Sequence, residues 1–95
     1  MPYPQLLFSG HALTRMITRG IDEADVRQVL DADDAIETYP DDTPYPSALY
    51  LGFVDKRPIH VVAADDDAGQ QTIVVTVYEP DLSLWDATFR ARRAP

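Results

Sequence analysis

Between Phe8 and Ala32 the apolar residues recur at helical spacing, and after Asp34 they recur at roughly every second position, so the chain reads as two helices followed by strands. Ser9 suits an N-cap, Phe8 before it is placed to staple to Leu13, and Gly20 suits the left-handed position after a last turn. A helix is therefore predicted over about residues 10–19. Asp22 repeats the cap, with Ile21 and Val26 in the staple positions and Val26, Val29 and Leu30 as the apolar stripe, predicting a second helix over about 23–32. The runs AIETY, SALYLGFV, IHVVAA and TIVVTVYE then alternate with DDTPYP, DKRP and DDDAGQ, whose Pro, Asp and Gly are turn residues. Four strands with short connections predict an antiparallel meander. Together these elements predict one α+β domain over residues 1–95, with both helices on one face of a four-stranded antiparallel sheet and the other face left for a site. In the tail, Trp85 and Phe89 are four apart and fit either a short helix or a strand edge lying on the core.

Strand periodicity also assigns faces. In RPIHVVAA, Ile59, Val61 and Ala63 share one side and His60, Val62 and Ala64 the other. In the last strand, unbroken alternation places Ile73, Val75 and Val77 toward the helices, and Thr72, Val74, Thr76 and Tyr78 on the open face. On this reading His60, Thr76 and Tyr78 form a polar cluster on a rigid platform, if His60 shares the open face. The alternative for His60 is a hydrogen-bonded core residue.

Charge sharpens the picture. Sixteen acidic against eight basic residues give a net charge of −8, which repels polyanions at long range, so nucleic-acid binding requires the positive residues to be concentrated. Seven of the eight are Arg, with Lys56 the one lysine. Two of them, Arg15 and Arg19, share a stripe of the first helix with His11 and Thr18, while Leu13, Met16 and Ile17 lie on the adjoining side. His11 falls in the first turn, where free backbone N–H groups favour an anion. Without cysteine there is no disulfide framework, thiolate metal site or Cys nucleophile, and neither a signal-peptide pattern nor a long apolar run is seen. The expectation is a cytoplasmic protein that is not membrane-bound.

Two histidines, two arginines and a tyrosine suffice for metal-free RNA cleavage, in which a base takes the ribose 2′-OH proton, an acid protonates the leaving 5′-oxygen and guanidinium groups stabilise the phosphorane. The roles fall to His11 and His60 for proton transfer, Tyr78 and Thr76 beside them, Arg15 and Arg19 on phosphate, and Arg90, Arg92 and Arg93 along an RNA track. No cofactor and no metal is expected: GxSxG, GxGxxG and P-loop patterns are missing, DDDAG lacks the later ligands of a calcium loop, and the histidines have no HExxH-like spacing. The competing expectation is a non-catalytic protein-interaction module that meets a basic partner through Asp31–Asp34, Asp41–Asp42 and Asp65–Asp67.

The order FSGHALTRMITRGI, PYPSALYLG, RPIHVV and TVYEPDLSLW, and within it HxxxRMxxRGI followed by HVV and TxYxP, resembles a family of small bacterial and archaeal proteins known as domain of unknown function 4258. That family is grouped with the small ribonuclease-like toxins of the RelE and ParE superfamily. The resemblance implies a RelE-like fold, an endoribonuclease toxin acting on RNA, and a cognate antitoxin as partner. Position by position it falls on His11, Arg15, Arg19, His60, Thr76 and Tyr78, and on Trp85, read as packing against the sheet.

Overall fold

The computed structural model describes residues 3–94. In chain order they form β1 (Leu6–Phe8), α1 (Gly10–Arg19), α2 (Glu23–Ala32), β2 (Ala35–Tyr39), β3 (Ser47–Val54), β4 (Arg57–Asp66) and β5 (Gln71–Tyr78). Both helices end where the capping residues place them. The Ser9 side chain accepts from the Ala12 N–H at 3.0 Å, and Gly20 adopts φ 65°. Asp22 and Asp25 form a reciprocal capping box, with N–H to carboxylate distances of 2.9 and 3.1 Å.

The sheet has five strands in the order β1-β5-β4-β3-β2, antiparallel except for β1, which runs parallel to β5. This corrects the expected four-stranded antiparallel sheet. Three residues, LLF, are too few to show a period, and their pairing partner lies more than sixty residues away. Leu6 and Phe8 pack on the core and Leu7 is left on the open side, 49 % exposed. Phe8 is thus a strand residue, and Leu13, its expected staple partner, is 45 % exposed.

Both helices lie on one face, where Ala12, Met16, Ile21, Val26, Val29 and Leu30 pack against Ile59, Val61, Ala63, Val74 and Val77. Gly52 lets α2 lie close to β3: a Cβ there would sit 2.9 Å from the Val29 Cα. On α1 only part of the apolar side is used, since Met16 is buried and Ile17 is 83 % exposed.

The faces of β5 differ from simple alternation. Val62 pairs with Thr76 but Ala63 pairs with Val74, so Val75 is an extra, bulged residue. Thr76, Val77 and Tyr78 keep their expected sides; upstream of the bulge Val74 joins the helix-side core, Thr72 lies on the same side, and Ile73 moves to the open face. The bulged strand still serves α1: the Val74 carbonyl accepts the Ser9 N–H at 3.0 Å, and the Val75 carbonyl accepts the Ser9 hydroxyl at 2.7 Å.

After β5 the chain doubles back without helix or strand, through turns whose N–H groups at Ser83 and Thr88 are taken by Asp81 and Asp86. A single antiparallel bridge joins Trp85 to Arg92. Among the described residues no helix is long and apolar enough to cross a membrane.

Candidate functional site

Because β4 alternates, Ile59 and Val61 in the helix-side core put His60 on the opposite face of the sheet. There His60 is fully buried. Its Nε2 lies 2.8 Å from the Phe89 carbonyl and its Nδ1 3.2 Å from the Tyr78 hydroxyl. A carbonyl can only accept, so Nε2 carries the proton and Nδ1 accepts from the Tyr78 O–H. The Trp85 ring stands nearly perpendicular to the imidazole at 4.5 Å, and Tyr78 does so at 5.2 Å. Burial pushes the imidazole below its ordinary pKa against the opposing pull of the Phe89 carbonyl, and nearby Arg92 lowers it further. The result is a neutral ring with both nitrogens engaged. Burial raises the Tyr78 phenol in turn.

His11 is exposed on α1, on the helix side. The sheet therefore stands between the two histidines expected to share proton transfer, and Thr76 and Tyr78 lie with His60 rather than with the helix stripe. The expected single site is divided into a sealed His60–Tyr78–Trp85 cluster and an open stripe on α1. The physical cause is that both helices cover the β4 side opposite to His60.

Along α1, His11, Arg15 and Arg19 are all exposed, at positions i, i+4 and i+8. Eight residues of helix advance about 12 Å, so the stripe can meet more than one phosphate of a strand. Thr18 is turned inward chemically, its hydroxyl donating to the Thr14 carbonyl at 2.8 Å.

The tail arginines are engaged within the molecule. Arg90 makes a two-pronged pair with Asp34 at 2.6 and 2.7 Å, Arg92 lies over the Trp85 ring at 5.0 Å, and the Arg93 Nε donates to the Leu82 carbonyl. Arg27 donates to the Pro4 carbonyl at 2.7 Å and pairs loosely with Glu23. Arg57 donates to the Arg19 and Gly20 carbonyls at the end of α1 and pairs with Glu79, which raises its pKa and keeps it charged. Among the described residues, Arg15 and Arg19 are the arginines whose side chains have no such partner.

Sequence reasoning did not single out Arg57, whose role needs the tertiary approach of β4 to the end of α1. Nor did it find a cavity of about 370 Å³ lined by Thr38, Tyr50, Asp65 and Asp67 with Pro40 and Pro46. No group of three or more His, Asp or Glu among the described residues is placed to hold a metal ion.

A two-helix α+β domain with a five-stranded sheet and a free cationic stripe on its first helix is the class these features define. The chain belongs to the family described as Domain of unknown function (DUF4258), which matches residues 8–79. No curated protein and no solved structure matches it.

Proposed function

We propose that the protein binds RNA by its phosphate backbone along α1 and acts as a metal-independent endoribonuclease of the toxin class, with a cognate antitoxin as its partner. One observation carries this reading: in a chain of charge −8, every described arginine is tied to an internal acceptor, carboxylate or ring except Arg15 and Arg19, which line up with His11. Guanidinium groups kept out of internal pairs are available for a ligand, and their fork geometry fits phosphate oxygens.

In the reaction His11 takes the ribose 2′-OH proton, and the 2′-oxygen attacks phosphorus. The bond from phosphorus to the 5′-oxygen breaks, and the proton held by His11 passes to the leaving oxygen. The products are a 2′,3′-cyclic phosphate and a 5′-OH end. Arg15 and Arg19 neutralise the charge gathered on phosphorus. His60, Tyr78 and Thr76 lie on the far side of the sheet and touch no substrate in this scheme. An antitoxin that blocks α1 has apolar surface to use on its other flank, where Leu13 and Ile17 are exposed.

A second reading, a non-catalytic module for a basic protein partner, is favoured by the acidic cavity at Asp65 and Asp67. The two separate in one assay: 5′-labelled RNA incubated with the protein in EDTA. Cleavage abolished in His11→Ala, and binding weakened in the Arg15→Ala/Arg19→Ala double variant, supports the ribonuclease. A wild-type protein that neither binds nor cuts RNA supports the acidic module.

A further inference from the structure

The segment Pro80–Arg93 begins where the family match ends, at residue 79, and it covers His60 on the sheet face opposite the helices. Its attachments are few and concentrated. The Phe89 carbonyl takes the His60 Nε2–H at 2.8 Å, Trp85 stands on the imidazole, and Arg90 grips Asp34 just before β2. The Phe89 ring meets Phe53 edge-on at 6.3 Å. Phe89 itself has φ 61°, a left-handed conformation that a bulky side chain resists and that the surrounding contacts must impose. Within the segment the turns are closed by its own groups, Asp86 N–H to Ala91 carbonyl and Arg93 N–H to Leu84 carbonyl among them. It is thus a self-contained loop clipped onto the sheet.

We infer that this segment is a releasable strap latched by neutral His60, and that protonation of His60 lifts it and exposes His60, Tyr78 and Trp85 while the sheet and helices stay folded. The inference is independent of the RNA reading.

The geometry supplies the reason. A protonated ring gains a donor at Nδ1, where the Tyr78 oxygen is the contact available, and it gains a charge in a fully buried place. The groups around it are Leu51 paired alongside on β3, Tyr78 on β5, and Trp85, the Phe89 carbonyl and Arg92 on the strap. No described carboxylate bonds to the ring, and the charge of Arg92 disfavours an imidazolium. Glu37 on β2 acts on Tyr78 instead. The strap's other anchors do not titrate in the same range. The Arg90 guanidinium holds Asp34 below the usual carboxylate range, as hydrogen bonds from Ser83 do for Asp81 and from Thr88 for Asp86.

Trp85 is the one tryptophan and sits on the latch, so it reports the strap's position. The experiment is a titration of the full chain from pH 8 to 5, following the Trp85 emission maximum, acrylamide quenching and far-UV circular dichroism together. The expected result is a red shift and a several-fold rise in quenching, with a midpoint below the ordinary histidine value of 6.5 and unchanged far-UV signal. His60→Gln, which keeps a donor and an acceptor but cannot be protonated there, removes the transition. Asp34→Asn, which weakens the Arg90 grip and leaves His60 intact, moves the midpoint upward. An emission maximum constant to pH 5, a shift that coincides with loss of far-UV signal, or an Asp34→Asn midpoint equal to wild type overturns the inference.

Discussion

The hydroxyl of Ser9 and the carbonyl of Val75 meet at 2.7 Å, joining the residue that starts α1 to the residue that breaks the register of β5. The same oxygen accepts the Ala12 N–H, so one side chain both caps the helix and fastens it to the sheet. Removing it leaves a helix N–H and a strand carbonyl without their partner. Ser9→Ala is expected to cost about 1–2 kcal/mol. Ser9→Asp, which accepts but has no hydroxyl to donate, should recover part of that in urea denaturation. A loss below about 0.3 kcal/mol in Ser9→Ala contradicts the double role.

Gly52 is the second point where a helix is held to the sheet. An added methyl meets the backbone of Val29 at 2.9 Å, and backbone cannot yield as a side-chain tip can. Gly52→Ala is expected to destabilise by about 2 kcal/mol or more through displacement of α2. Thermal unfolding checks this, and a melting temperature within a degree of wild type contradicts it.

Arg57 ties the last carbonyls of α1 to Glu79 with a planar fork that lysine cannot reproduce. Replacement by Lys is expected to cost nearly as much as replacement by Ala, about 1 kcal/mol. Hydrogen exchange should then rise in the last turn of α1 and at the start of β4. Full rescue by Lys contradicts the fork's role.

His60 makes stability depend on pH in a defined sense. Its folded pKa lies below the ordinary 6.5, so the unfolded chain takes up the proton first. The contribution is complete above pH 6.5, declines as pH falls below it, and levels off below the folded value. Urea midpoints at pH 7.5, 6.5 and 5.5 should fall in the wild type and change less in His60→Gln. His60→Ala, which strands the Tyr78 hydroxyl and the Phe89 carbonyl around a cavity, is expected to lose about 3 kcal/mol. Equal pH dependence in wild type and His60→Gln contradicts this assignment.

These relationships show what could be read from the sequence. Both helix boundaries were legible because Ser9, Gly20 and Asp22 act locally, and the strand runs because alternation and turn residues mark them. The parallel β1 was not, since its pairing with β5 is settled by distant residues. An inserted residue such as Val75 shows no trace in an apolar run, so plain alternation puts Thr72, Ile73 and Val74 on the wrong sides. The stripe of His11, Arg15 and Arg19 was legible from helical spacing, whereas its separation from His60 depends on which face the helices cover. That Arg90 and Arg92 are engaged internally required knowing where the tail folds back.

The central claim is that Arg15 and Arg19 meet phosphate. The direct measurement is the affinity for a 5′-labelled single-stranded RNA across a range of salt concentrations, for wild type, the Arg15→Ala/Arg19→Ala variant, and an Arg92→Ala/Arg93→Ala control. With two guanidinium–phosphate pairs removed from a single strand, the α1 variant should show a slope of log affinity against log salt shallower by about 1.4. The control should keep the wild-type slope. Equal slopes in wild type and the α1 variant, or no RNA binding by the wild type at any salt concentration, contradict the claim.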